Sequence, residues 1–522
     1  MGLIGKFFSV GSATMASRVL GFVREALIAG TLGAGPVADA FYAAFRFPNL
    51  FRRLFAEGAF NTAFVPLFSS ELETGNRASA RKFAEEILAS LLAILLALSA
   101  LAMIFMPFLV STIIAPKFAD DPAKFELTVL LTRIMFPFLT AMSVVAMFSG
   151  IMNSFRRYFL AALAPVIMNI VFIGVLLASG YVGLEDRELG VAMAYGVTLS
   201  GLLQIALLTY GIKKEGFPLS LRFPRFSKPV RRLVTLAVPT AIAAGITQVN
   251  LLVGQIIASG QDGAISIINY ADRLMQLPLG IIAVSIGVVL LPELSRALSA
   301  QDKTESLKLQ NRSLEFGLGL MVPAAIGLYI MPEPLIALIY ERGAFTRDLT
   351  IITASVLSAF AVGLPAVVLT KIFQPSYYAR KDMRTPMWFS GVNATINIIL
   401  ALYLFERMGV VGLGWAFSIA SWANAFLLGG HLYWRNHFRM EAITFRNIGL
   451  ILLAGLLMGL VVYFGQIALA EQLMASGALI RLVTILGIIF AAALIYLSVV
   501  VLTGAIPRDQ LMRLLRRRKK QV

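Results

Sequence analysis

Apolar runs too long for a soluble core constrain this chain more than any other feature. Ile87–Ile114, Leu160–Ala178 and Ile448–Leu469 are each long enough to cross ~30 Å of hydrocarbon as a helix rising 1.5 Å per residue. Charged residues make up only 14% of the 522 and hydrophobic ones 58%, whereas a soluble domain carries roughly 25% charged residues. The fold class expected is an all-α polytopic membrane protein. Cysteine is absent, so disulfide frameworks and thiolate metal sites are excluded. The only two histidines, His431 and His437, stand near a helix end without metal-ligand spacing.

Hydropathy divides the chain into 14 transmembrane helices, at about 7–30, 37–66, 84–114, 128–153, 159–179, 188–212, 232–258, 265–294, 311–331, 348–378, 385–405, 410–434, 446–469 and 479–503. An even number puts both termini on one side, and Lys and Arg decide which. With cytoplasmic termini, thirty of the 45 Lys and Arg fall on inside segments and six on outside loops. Most of the net charge of +17 is therefore topology. The basic tail Arg513–Lys520 reads as a solvated or headgroup-facing end, and no nucleic acid partner is expected.

The sequence repeats itself weakly. Gly190, Ala194, Tyr195 and Lys213 match Gly412, Ala416, Phe417 and Arg435 at an offset of 222. Arg156, Arg157 and Asn169 match Arg380, Lys381 and Asn393 at an offset of 224, and FVPLFSS matches LLPELSR at 226. Six helices separate equivalents, so the halves run parallel. The expected architecture is two parallel pseudo-symmetric six-helix lobes around a central cavity, plus two extra C-terminal helices. The lobes are 1–230 and 231–440. Residues 441–505 are an additional pair of spans reserved as a lipid-tail groove, and 506–522 form a basic cytoplasmic tail.

Charges inside the spans carry the chemistry. A cation at bilayer depth costs at least ~2.5–3.5 kcal/mol, so it normally faces a polar cavity or a partner. At 100° per residue Asp39, Arg46, Arg53 and Glu57 fall within about 40° of one another, a charged stripe roughly 27 Å long. Arg53 and Glu57 can pair at i and i+4, and Arg52 points elsewhere around the cavity edge. Arg18 and Glu25 share a face of the first span, with Arg24 beside Glu25. The eighth span opens on Tyr270-Ala271-Asp272-Arg273, with Pro278 and Gly280 as hinge points. Six arginines stand against four acids, a surplus of two positive charges. Internal ion pairing alone leaves that surplus uncompensated at depth. An anionic ligand neutralises it, and the planar guanidinium fork suits phosphate. Asn250, Asn393 and Asn397, with Thr395, form a weaker candidate cation site. Interhelical hydrogen bonding accounts for them as readily.

These motifs have a known counterpart. SRVLGFVREALIAGTLGAGPVADAFYAAFRFPNLFRRLFAEGAFNTAFVP and YADRLMQLPLGIIAVSIGVVLLPELS resemble the first two helices and the eighth helix of the MurJ (MviN) family of lipid II flippases. That family belongs to the multidrug/oligosaccharidyl-lipid/polysaccharide exporter superfamily. The resemblance implies two six-helix lobes plus two helices. It also implies a cargo, undecaprenyl-pyrophosphate-linked disaccharide-pentapeptide, moved from the inner to the outer leaflet for peptidoglycan synthesis. Arg18, Arg24, Asp39, Arg52, Arg53, Asp272 and Arg273 match family positions in the central cavity. Glu25 stands where relatives often carry Asp, and Gln276 where some carry Glu.

The function expected is an alternating-access lipid II flippase of the bacterial inner membrane. Substrate-binding residues would be Arg18, Arg24, Glu25, Asp39, Arg52, Arg53, Glu57, Asp272 and Arg273. No cofactor or catalytic residue is expected; partners are lipid II, membrane lipids and the peptidoglycan-synthesis machinery. Alternatives are export of another lipid-linked oligosaccharide and export of drugs. Cationic drugs call for a carboxylate-dominated cavity. A membrane glycosyltransferase would need an acidic catalytic pair near a membrane face, yet the long inside loop near 213–231 holds one acid, Glu215. A scaffold without transport would need no buried arginine.

Overall fold

The structure is a computed structural model that describes residues 3–51, 60–474 and 477–505. Regular structure among these residues is entirely helical, as expected where helices satisfy their own backbone groups in lipid. The chain divides into two compact units, Met1–Ser266 with Arg342–Phe345, and Ile267–Glu341 with Thr346–Val522. The division falls one helix after the lobe boundary read near residue 230.

The first unit begins with α1 (Leu3–Leu32), α2 (Pro36–Phe51), α3 (Asn61–Thr74) and α4 (Arg77–Ile104). Asn76 caps α4, its side chain accepting from the Ser79 N–H at 2.8 Å, so the chain turns sharply after α3. α4 leads into α5 (Met106–Leu109), a π turn at Val110–Ile114 and a 3-10 turn at Pro116–Asp120. Proline opens both α6 (Pro122–Met135) and α7 (Pro137–Ser154), where its missing N–H costs nothing. α8 (Tyr158–Val182), α9 (Asp186–Lys214) and α10 (Lys228–Ala258) follow. α1 packs on α8, α2 on α6, and α7 on α9. One part of the core is a phenylalanine ladder. Phe60 stacks on Phe64 at 5.2 Å, Phe64 on Phe68 at 5.6 Å, and Phe217 meets Phe68 edge-on at 5.8 Å.

The second unit takes most of α11 (Ala264–Ser299), then α12 (Lys303–Ile330), the short α13 (Pro332–Tyr340) and α14 (Arg347–Tyr378). α15 (Arg384–Met408), α16 (Val410–Trp434), α17 (Ala442–Ala468), α18 (Ala470–Met474) and α19 (Ala478–Thr503) complete it. α17 lies on α12 through small residues: a Cβ at Gly455 would stand 2.8 Å from Ile326, and one at Gly459 2.9 Å from Ile330. Such close approach is how helices associate where no hydrophobic force separates them from lipid. α19 packs on α17 around Ile485, Ile488 and Ala492.

The expected segments are mostly helical where they are described, with breaks at Phe105 inside 84–114 and at Phe136 inside 128–153. Ten helical stretches among the described residues are long and apolar enough to cross a membrane. α1, α10 and α11, at 30, 31 and 36 residues, are not in that set. A left-handed residue closes helices throughout both units, after α7, α8, α9, α11, α14, α16 and α19. α7 and α14 both end in a left-handed residue, Arg156 (φ 59) and Lys381 (φ 60), 225 positions apart. The next N–H bonds five residues back in both: Arg157 to Met152 and Asp382 to Tyr377. Gly216 (φ 71) and Asn436 (φ 56) do the same after α9 and α16.

Candidate functional site

Arg24 and Glu25 of α1 and Asp39 of α2 belong to two separate clusters within the first unit. In one, Arg24 of α1 is buried at 8% exposure and Glu25 at 2%. Arg24 Nη2 donates to Glu25 Oε2 at 3.0 Å, and Nη1 to Asn169 Oδ1 of α8 at 3.1 Å. The guanidinium lies 5.3 Å from the centre of the Phe172 ring. Tyr42 of α2 donates to Glu25 Oε1 at 2.9 Å, and Asn169 Nδ2 donates to the Ser17 carbonyl at 2.9 Å. Gly21 keeps α1 close to α8, with room for Asn169 beside it. Arg24 Nε is buried and has no hydrogen-bond partner. A guanidinium has five N–H donors, of which Asn169 and Glu25 each accept one, and guanidinium donors are the kind that bind phosphate oxygens.

The second cluster is built on Asp39, in the first turn of α2 and 0% exposed. Its Oδ2 accepts from the Gly263 N–H at 2.7 Å and from Lys124 Nζ at 3.1 Å. Its Oδ1 accepts from the Ser266 N–H at 2.9 Å and the Ser266 hydroxyl at 2.7 Å. The carboxylate thus caps the start of α11, whose free N–H groups favour negative charge. Lys124 Nζ also reaches Asp262 Oδ1 at 2.7 Å and lies 4.2 Å from the Phe118 ring centre. The sequence reading grouped Asp39 with the arginines. Its carboxylate is instead engaged by Lys124, which is 3% exposed.

Other expected site residues fall elsewhere. Arg18 is exposed on α1, and Arg46 is half-buried on α2. Arg52, Arg53 and Glu57 lie outside the described residues. Asp272 and Arg273 are half-buried on α11 in the second unit, where Gln276 donates to Asp272. The candidate cation set is split: Asn250 belongs to α10 of the first unit, Asn393 and Asn397 to α15 of the second. Sequence reasoning missed Tyr42, Lys124, Asp262 and Ser266. Asn169 was legible only as a repeat match.

The second unit also holds an apolar cavity of about 810 Å³ between α12, α14, α16 and α17, lined by residues such as Leu318, Val322, Pro365, Trp422, Leu452 and Leu456. No charged side chain lines it. α17 contributes to it, whereas α19 does not.

Long apolar helices, a buried arginine and an apolar cavity describe a multi-pass membrane protein. The sequence model of the family "Lipid II flippase MurJ" matches residues 28–487. A "Probable lipid II flippase MurJ" of Rhizobium meliloti (strain 1021) is 45% identical over 500 residues, 96% of this chain and 94% of that one. One of Rhizobium tropici is 44% identical over 522 residues, covering 99% and 98%. The chain belongs to the MurJ family of lipid II flippases. Among solved structures, "Lipid II flippase MurJ, inward closed conformation" is similar, with TM-score 0.77 and 26% identity over 96% of this chain and 99% of that one. An inward-facing multidrug resistance MATE transporter of the MOP superfamily shares the fold, with TM-score 0.66 at 13% identity over 82% of this chain and 98% of that one.

Proposed function

We propose that this protein moves lipid II from the inner to the outer leaflet of the cytoplasmic membrane by alternating access, with both termini in the cytoplasm. The observation that carries the chemistry is Arg24: a buried guanidinium held by Glu25 and Asn169, with its Nε donor unspent. A pyrophosphate entering from the cytoplasm supplies the missing acceptor. Arg18, Arg52, Arg53 and Arg273 add charge along its route, and Glu25, Glu57 and Asp272 hold those cations in place while the site is empty. Asp39, clamped by Lys124 and the start of α11, serves the same site by positioning α2. The long polyprenyl tail stays in the apolar phase. Its seat is the 810 Å³ groove, which shifts the tail site from the α17–α19 pair onto α17 with α12, α14 and α16. A net-positive empty site also gives the membrane potential a handle, since one charge moved through 100 mV is worth ~2.3 kcal/mol. Peptidoglycan-synthesis enzymes are the natural partners of a carrier of this cargo.

The test is headgroup accessibility of labelled lipid II in vesicles reconstituted with the protein. Arg24→Ala and Arg273→Ala should each slow transfer at least about tenfold, the worth of one lost charged hydrogen bond. Transfer at the unsubstituted rate in both variants removes the arginine-based mechanism.

A further inference from the structure

A second lipid site lies in the first unit, away from the charged clusters. A cavity of about 270 Å³ opens between α4, α7 and α9, with Leu88, Phe148 and Ile205 in its wall. Leu219 and Leu221 of the α9–α10 connection complete it, and Lys213 is the one charged side chain that lines it. Phe148 lies six residues from the end of α7 and Ile205 nine from the end of α9. Phe148 and Ile205 therefore stand about 9 and 13 Å by helical rise from those helix ends, and Leu88 lies between Glu85 and Ser90 of α4, to which the connection is bonded. Tyr210 near the end of α9 and Phe223 and Phe226 of the connection are exposed, as aromatic residues often are where hydrocarbon meets headgroups.

The connection is fixed in place rather than loose. Glu85 of α4, 1% exposed, accepts from the Ser220 N–H at 2.9 Å, from Arg222 Nε at 2.6 Å and from Arg81 Nε at 2.9 Å. The Arg225 carbonyl accepts from Ser90 Oγ at 3.3 Å. These bonds hold the connection along α4, and Glu215 is paired with Arg157 at 2.9 Å. Lys213 and Arg225 make no ion pair with any described residue, and both are exposed. Lys228, Arg231 and Arg232 extend the positive surface onto the first turn of α10. An apolar cavity with Lys213 in its wall, beside a connection that carries further exposed cations, is complementary to an acyl chain beneath an anionic headgroup.

We propose that this cavity and the α9–α10 connection bind an anionic glycerophospholipid of the adjacent leaflet, one acyl chain in the cavity and the phosphate against Lys213 and Arg225. The site is separate from the cargo path and does not depend on it. The test uses the full-length protein in detergent, with native mass spectrometry of lipid adducts. Dioleoyl phosphatidylglycerol should bind in preference to dioleoyl phosphatidylcholine by about tenfold or more, the expected worth of two basic side chains at a lipid surface. The exposed pair Lys213→Gln with Arg225→Gln should abolish that preference. Ile205→Trp, which fills the cavity, should weaken both lipids alike. Millimolar inorganic phosphate and purified lipid II should both fail to displace the phosphatidylglycerol. Equal binding of the two lipids, or a preference that survives the double substitution, overturns the proposal. Displacement by inorganic phosphate would make this a free-anion site, and displacement by lipid II would make it part of the cargo path; either also overturns it.

Discussion

Replacing Lys124 with methionine tests the geometry of the Asp39 cluster directly. The ammonium is 3% exposed and bridges Asp39 at 3.1 Å and Asp262 at 2.7 Å. The Asp262 side chain is 78% exposed, so it stays solvated and its pairing contributes little. The cost comes from Asp39, left charged at 0% exposure with only the Gly263 and Ser266 donors. Removing one partner of a buried pair typically costs ~3–5 kcal/mol. The three surviving donors place Lys124→Met near ~3 kcal/mol. For a large domain each kcal/mol shifts Tm by ~2–4 °C, so the expected fall is about 6–12 °C. The assay is thermal unfolding in one detergent at one scan rate, because unfolding of such proteins is seldom reversible. Adding Asp39→Asn to Lys124→Met removes the stranded charge. The double variant should therefore be less destabilised than the sum of the singles, by about 2 kcal/mol. A Tm for Lys124→Met within about 2 °C of the parent, or strictly additive singles, would refute the buried pair.

Three further outcomes follow from separate parts of the fold. Gly455→Leu on α17 should lower Tm by several degrees, because even its Cβ would stand 2.8 Å from Ile326 and 2.9 Å from Val322, an overpacking worth ~1–3 kcal/mol. Leu452→Trp, placed in the apolar groove, should slow transfer of full-length polyprenyl substrate in vesicles more than that of a short-tail analogue. His437, in the connection after α16, is held below its ordinary value of 6.5 by burial first, then by the Arg380 and Arg435 cations. The unfolded chain therefore takes up a proton before the folded one. Stability from this group is intact above about pH 6.5 and declines as pH falls through the folded value. His437→Gln should flatten the acid limb of a Tm-against-pH curve.

Much of the fold could be read from apolar run length, because a span needs about 20 apolar residues whatever surrounds it. The repeat was legible only as scattered matches such as Arg156 with Arg380. The site was harder. Helical periodicity places Asp39 and Arg46 on one face of a helix but says nothing about which neighbour meets that face. Asp39 thus went to the arginines although α6 brings Lys124 to it. Lys124 follows Asp120 and Asp121 at a helix start, a pattern that reads as solvated surface. Arg24 and Glu25 are adjacent in sequence, so their pairing was within reach. Tyr42 and Asn169 completed that cluster through packing between α1, α2 and α8, which no local pattern reports.

Leaflet distribution of lipid II after depletion of the protein from its own cells tests the central account most directly. The expected result is accumulation of lipid II on the cytoplasmic side with loss from the outer leaflet, restored by the parent chain and not by Arg24→Ala. An outer-leaflet pool that stays constant through depletion would contradict the account.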